Sequence, residues 1–490
     1  MAPQAVTGIE SPLLKHLSGY IGGQWVGADS GETTDVVNPA TGDRLAAVPS
    51  MGEAETRRAI DAAHAALDQP ASIDERREWL LRIDAALRKH KDEIARILTM
   101  EMGKPLKEAR GEAEYAAGFY RYCADNIDLL KPRPVTERPK GMDWTVHHRP
   151  AGVVALLTPW NFPMAMIAKK LSAALAADSP SIIKPSSKTP LSMIVLFHIL
   201  EQEAKLPPGK ANLLLGHPKT IADVLCEDER VRVISLTGST EVGKLLVQKT
   251  AHDLKRLCLE LGGNAPFIVF EDADLDHAAD QLVANKFRAN GQTCVCANRV
   301  YAHESIADAF AEKVAERASK LKVGDGMADD TDLGPLIDRA GYDKVRRHVE
   351  DALAKGAEIV TGSDVPEPLG DDWGCFHPPT VLRNVTHEMV CCREETFGPL
   401  VPILKFDNEA EAVAFGNRTE YGLASYVFTA DDDRAARVAA QLRFGHVGHN
   451  TGQGPTPEAP FGGMKQSGYG REGGIEGLFE FTEAQTIPHG

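Results

Sequence analysis

Five short apolar runs, at 153–157, 181–184, 212–215, 231–236 and 256–259, follow one another along the middle of the chain, and helical stretches separate the first four. Parallel strands cannot be joined by a tight turn, so strand and helix in alternation commit the chain to a parallel, doubly wound α/β sheet. A second α/β stretch runs from about 264 to 450, with candidate strands at 267–270, 399–406 and 424–429. At 490 residues the chain exceeds what one core supports, so more than one domain is expected. The boundaries fall at 1–129 plus 151–262 for the first α/β unit and 263–462 for the second. Two segments, 130–150 and 471–490, fit neither unit and read as strands that pair with another subunit. The first 130 residues read as mostly helical: Ser72-Ile-Asp-Glu75 is a capping box, and Leu80, Ile83 and Leu87 recur at helical spacing. Thr189-Pro190 is expected to open another helix, with Thr189 as N-cap and Pro190 in the first turn.

The formal net charge of -16 argues against nucleic acid or an anionic membrane as partner. No apolar run approaches the roughly 20 residues that a spanning helix needs, and the first 30 residues lack the pattern of a secretory signal. The eight cysteines, at 123, 226, 258, 294, 296, 375, 391 and 392, contain no Cys-x-x-Cys, and with the histidines they form no zinc-ligand spacing. They read as free thiols of a cytoplasmic protein.

Two glycine patterns suggest phosphate binding. Gly468-Tyr-Gly470-Arg-Glu-Gly473 has dinucleotide-fingerprint spacing, but only 17 residues follow it, so it reads as a turn. Gly238-Ser239-Thr-Glu-Val-Gly243-Lys244 nearly spells a P-loop, with Leu245 where the magnesium-binding hydroxyl would stand. It follows a strand and opens a helix, so its amides suit a phosphate without a kinase-type metal site.

Gly291-Gln-Thr-Cys294 places a thiol in a small-residue turn, six residues after the cation Arg288. A thiol attacks as its thiolate, which nearby positive charge favours. Thr158-Pro159-Trp160-Asn161-Phe-Pro163 ends the first parallel strand, and Glu260-Leu261-Gly-Gly263 ends the last. With Glu395-Thr-Phe397-Gly-Pro399, Asn38-Pro-Ala-Thr-Gly42 and Pro460-Phe-Gly-Gly463, these segments resemble the aldehyde dehydrogenase superfamily in order and spacing. The resemblance implies a doubly wound cofactor domain, a second α/β catalytic domain and a small β-element for oligomerisation. It implies that Cys294 forms a thiohemiacetal with an aldehyde, that Asn161 and the Cys294 amide hold the oxyanion, and that Glu260 is the base for thioester hydrolysis. Relatives that transfer the acyl group to coenzyme A generally lack this base, so release of a free acid is favoured.

Thr158, Pro159, Trp160, Lys184, Ser186, Ser187, Gly238, Ser239, Gly243, Leu261, Glu395 and Phe397 match the family's cofactor segments. NAD-restricted relatives often carry Glu where this chain has Ser187, so NADP is the expected cofactor, with Lys184 and Lys188 supplying charge and NAD as the alternative. Within the family the chain resembles succinate-semialdehyde dehydrogenases, in which Arg288 would clamp the substrate's distal carboxylate. Lys169 stands where that subfamily usually has a second arginine, and Pro455 stands near its substrate-binding serine. A longer acid such as glutarate or 2-oxoglutarate semialdehyde, or an aromatic aldehyde, is therefore an open alternative. A cysteine hydrolase or acyltransferase is the rival from another class, though no histidine lies in the matched motifs. The resemblance also implies a homodimer or homotetramer. Cys296 is a redox candidate, since a disulfide to Cys294 would close a small, strained ring.

Overall fold

The computed structural model describes residues 9–137 and 140–490. Among them an eight-stranded sheet runs, edge to edge, through Gly468–Tyr469, Arg256–Glu260, Val231–Thr237, Val153–Leu157, Ser181–Lys184, Ala211–Leu213, Gly19–Ile21 and Gln24–Val26. Its middle five strands are parallel. The chain builds outward from Val153–Leu157 in one direction, then returns to its other side for Val231–Thr237 and Arg256–Glu260. That reversal leaves a crevice outside the carboxyl ends of Val153–Leu157 and Val231–Thr237, where open α/β sheets bind ligands. Thr158 and Gly238 form its two lips.

The second sheet has the order Glu358–Thr361, Thr380–Arg383, Leu400–Phe406, Ala297–His303, Ala265–Val269, Ala424–Phe428 and His446–His449. All its pairings are parallel except that of Glu358–Thr361 with Thr380–Arg383. Arg256–Glu260 ends the first sheet, and after residues 261–264 Ala265–Val269 starts the second. The carboxyl edge of one sheet thus meets the amino edge of the other. Cys294 lies just before Ala297–His303, on that same seam.

Several sequence expectations need correction. Residues 9–50 are not helical and contain two antiparallel hairpins, Gly19–Ile21 with Gln24–Val26 and Thr33–Val37 with Arg44–Pro49. The first turns on Gly22-Gly23, both at positive φ (57° and 87°), the two-residue geometry that glycine supplies without strain. Helices Glu53–Ala65, Ile73–Lys89, Lys91–Met102 and Leu106–Asn126 follow. Ser72 and Glu75 cap each other as expected, and Leu80, Ile83 and Leu87 are fully buried.

Thr189 is not an N-cap. The helix Leu191–Gln202 begins after Pro190, and the Thr189 hydroxyl has no partner. Its first amides, of Leu191 and Ser192, instead donate to the buried Glu101 carboxylate at 2.7 and 3.0 Å. The glycine run from 468 is more than a turn, because Gly468–Tyr469 pairs antiparallel with Arg256–Glu260 at the sheet edge. A side chain at Gly468 (φ 105°) would place Cβ 1.9 Å from the Leu259 carbonyl oxygen.

Within one chain, parts of the segments 130–150 and 471–490 pair with each other. Thr482–His489 runs antiparallel to Asp143–Pro150, which also pairs with Arg133–Pro134. Thr482–His489 forms one edge of this three-stranded sheet and is largely exposed. Among the described residues no helix is long and apolar enough to cross a membrane.

Candidate active site

A cavity of about 620 Å³ opens at the seam, and Asn161, Lys169, Glu260, Arg288, Cys294 and Pro455 all line it. Every candidate catalytic and substrate residue therefore meets in one space, although they come from both sheets and from a loop near the carboxyl end. Among the described residues no histidine lines the cavity.

The turn that presents Cys294 is held in a demanding conformation. Ala289, Asn290 and Gly291 all have positive φ (48°, 55° and 75°), and two non-glycine residues there cost energy unless the surroundings enforce them. They do so here. The Ala289 amide donates to Glu108 at 2.8 Å, the Asn290 amide group to the Gly334 carbonyl at 2.8 Å, and the Ile337 amide to Gln292 at 2.9 Å. Gly263 is required opposite, since a Cβ there would lie 2.4 Å from the Cys294 carbonyl oxygen.

Burial pushes the Cys294 thiol up to about 12, and the cation that opposes this is Lys169. Arg288, which the resemblance assigns to the substrate and not to the thiol, holds its exposed guanidinium 4.6 Å over the Phe162 ring at the cavity wall. Glu260 sits at the end of its strand with both carboxylate oxygens buried and unpartnered. Burial first, and the neighbouring Glu472 second, hold its carboxyl well above the usual range, with Lys169, Lys170 and Arg471 opposing. Such a carboxyl is suited to proton transfer near neutral pH.

Two buried ion pairs behind the site were invisible in the sequence. Lys104 pairs with Glu112 and also donates to the Asn161 carbonyl oxygen at 2.7 Å. Glu112 in turn accepts from the Met164 and Ala165 amides at 2.9 and 3.1 Å, fixing the turn that carries Asn161. The Asn161 side-chain amide donates to the Gln292 carbonyl at 2.8 Å, which ties it to the Cys294 turn. Lys170 pairs with Glu472 and donates to Ser235 at 2.8 Å, next to Glu260. The partners lie up to 302 residues apart, so no local pattern signals them.

The residues at the sheet crevice fit a dinucleotide. The buried Thr158 and Thr237 hydroxyls have no partner there. Gly238 continues the strand line, its amide donating to the Glu260 carbonyl at 3.0 Å, and Ser239 caps the helix Thr240–Thr250. Gly243 is needed for close packing, since a Cβ would come 2.6 Å from Leu261. Pro159 follows Thr158, and Trp160 stacks edge-on against Phe397, which holds a positive φ of 56°. Glu395 accepts from the Gly263 amide at 2.9 Å, and burial raises its carboxyl to about 7.

Lys184 is buried, its amine lowered to about 8, and it lies 3.4 Å from the Ser187 hydroxyl. Ser186 accepts from the Lys188 amide. The Lys188 side chain is already paired with Asp338 at 2.8 Å, so Lys184 is the better placed cation. Cys296 does not line the cavity; its buried thiol donates to the Gly291 carbonyl at 3.4 Å and lies 3.6 Å from Lys286.

The model of the aldehyde dehydrogenase family matches residues 25–487. Over 470 residues the chain is 45% identical to a glutarate-semialdehyde dehydrogenase of Pseudomonas putida, with 96% of each chain covered. It is 44% identical over 465 residues to an NADP(+) succinate-semialdehyde dehydrogenase of Escherichia coli, covering 94% of this chain and 95% of that one. The crystal structure of an oxidoreductase from Marinobacter aquaeolei superposes with a TM-score of 0.96 at 60% identity, covering 98% of this chain and all of that one. The chain belongs to the aldehyde dehydrogenase family.

Proposed function

We propose that the protein oxidises an acid semialdehyde to the corresponding dicarboxylic acid, with NADP preferred over NAD. The meeting of Cys294, Glu260, Asn161 and two cations around one cavity carries this reading. The Cys294 sulfur adds to the aldehyde carbon, and the oxyanion is received by the Asn161 side-chain amide and the Cys294 backbone amide. Losing one such donor typically slows a reaction by about 100-fold or more. Residues 9–129 and 151–262 form the unit that would hold the dinucleotide through Thr158–Trp160, Lys184–Ser187 and Gly238–Ser239, with Glu395 and Phe397 reaching it from the second unit, and bound nicotinamide would supply a hydride acceptor there. The thioester left on Cys294 is opened by water whose proton Glu260 takes, which releases the acid and restores the thiol.

Arg288 and Lys169 bring two cationic side chains into a wall that also holds Glu108, Glu112, Glu260, Glu458 and Glu472, and they favour an aldehyde with a distal carboxylate. Pro455 narrows the mouth opposite, where its carbonyl accepts from the Tyr115 hydroxyl at 2.9 Å. That loop sets chain length, so the succinate and glutarate semialdehydes named for the relatives are the substrates to compare first. Formation of reduced nicotinamide with either, at a higher kcat/KM for NADP than for NAD, is the expected result. No activity on any acid semialdehyde, or a strong NAD preference, would refute the respective half of this reading.

We further propose that the enzyme works in the cytoplasm, where its eight free cysteines stay reduced, and that Thr482–His489 pairs with another copy. The two neighbouring thiols also support reversible oxidation through a Cys294–Cys296 disulfide. Peroxide inactivation should then be reversed by dithiothreitol and become irreversible in Cys296→Ser.

A further inference from the structure

His348 does not line the cavity, and no step of the proposed reaction uses it. It lies on the helix Arg339–Ala354 and is 0% exposed. Both of its ring nitrogens are engaged: Nδ1 lies 3.1 Å from the Thr396 hydroxyl and Nε2 lies 3.3 Å from the Glu394 carboxylate. Burial above all lowers the imidazole to about 4, so near neutral pH it is uncharged and carries one N–H. A carboxylate only accepts, which places that hydrogen on Nε2 and leaves Nδ1 to accept from the Thr396 hydroxyl. A buried ring with both nitrogens in use is a fixed point in the molecule.

The two groups it holds flank Glu395 in the chain. Glu394 is extended (φ -102°, ψ 149°), and successive side chains of an extended segment face opposite ways. Glu394 and Thr396 turn toward His348, and Glu395 between them reaches the Gly263 amide at 2.9 Å. The backbone of the segment is tied to Asn298, which accepts from the Thr396 amide at 2.9 Å and donates to the Glu394 carbonyl at 3.0 Å. Phe397 then holds its positive φ of 56°, a conformation that persists only where neighbours enforce it. The exposed Arg347 also reaches Glu394 at 3.0 Å, but such a pair is screened by water and holds little.

We propose that His348 is a positioning residue for the cofactor: by holding Glu394 and Thr396 it keeps Glu395 and Phe397 aimed at the dinucleotide before it binds. The proposal rests on the reading that Glu395 and Phe397 face the dinucleotide.

The test titrates NADPH into the full-length enzyme by its fluorescence, with iodoacetamide alkylation of Cys294 in the cofactor-free enzyme as a second readout. His348→Leu removes both bonds and should weaken NADPH roughly tenfold, the scale of two hydrogen bonds. The loss arises because apparent affinity falls with the fraction of molecules whose segment is in place. His348→Gln keeps a donor near the Nε2 position and His348→Asn an acceptor near Nδ1, so each should recover part of the loss. Thr396→Val should weaken NADPH in the wild-type background and add nothing in His348→Leu. Alkylation of Cys294 should keep its wild-type rate throughout. Unchanged NADPH affinity in His348→Leu would overturn the proposal, as would a loss matched by an equal change in alkylation, the mark of a disturbed core. If His348→Leu folds poorly, the Asn, Gln and Thr396→Val variants decide alone, and wild-type affinity in all three would overturn it. Glu395→Gln tests the reading beneath: undiminished affinity there would remove the cofactor contact and the proposal with it. A loss in Glu395→Gln beside wild-type affinity in every His348 variant would overturn the role of His348 only.

Discussion

Glu260 is asked to do work that an ordinary carboxylate does poorly. It must be ionised to take a proton from water, yet burial and Glu472 hold its acid form stable well above the usual carboxylate range. A base is active only when deprotonated, so thioester hydrolysis should rise with pH through this raised value and fade below it. The acid limb of kcat should lie well above the ordinary value of roughly 4.3 and move down in Glu472→Gln, which removes a neighbouring negative charge. A limb at the ordinary value in the wild-type enzyme would show that the carboxylate is solvated when it acts.

At the opposite wall, Arg288 has no carboxylate partner among the described residues and rests on the Phe162 ring, ready to receive one from the substrate. A hydrogen bond to a charged group contributes about 1.5–3 kcal/mol. Arg288→Ala should therefore raise KM for an acid semialdehyde by roughly tenfold or more and leave KM for an uncharged aldehyde nearly unchanged. Equal effects on both would assign Arg288 to packing.

Individual elements were legible where one local rule governs them. The apolar central strands and the Ser72–Glu75 box declare themselves, and so do the turns that carry Cys294, Asn161 and Glu260. Ala297–His303 was not legible because it buries Asn298, which donates to the Glu394 carbonyl, and Arg299, which donates to the carbonyls of Asn264, Phe415 and Gly416, all from elsewhere in the chain. The Gly22-Gly23 hairpin carried a readable turn signal that the helical pattern after it obscured. The helix Leu191–Gln202 shows the same limit from the other side, since its capping group comes from Glu101, 90 residues away. A side-chain cap typically stabilises by about 0.5–2 kcal/mol, so Glu101→Ala should lower the urea midpoint of unfolding by a corresponding amount without changing KM. An unchanged midpoint would show that the buried amides find another partner.

At the scale of the molecule, catalysis depends on the seam between two sheets. One contributes Glu260 and Asn161 from its carboxyl edge, and the other contributes Cys294 from its amino edge. The Asn161–Gln292 hydrogen bond crosses between them, and Lys104–Glu112 anchors the near side. The small third sheet stands apart, with Thr482–His489 as a long open edge. Unpaired edges of this length invite pairing with a second chain. Replacing Thr486 by Pro should lower the assembly mass in light scattering, and a mass unchanged from the wild type would assign contact between subunits to another surface.

The central claim is that Cys294 carries the acyl group and Glu260 releases it. Glu260→Gln mixed with succinate semialdehyde and NADP, quenched in acid and digested, should give a burst of reduced nicotinamide of about one per subunit. Mass spectrometry should find the succinyl group on the peptide that contains Cys294. Steady turnover without a burst, or an acyl group on any other residue, would contradict the mechanism.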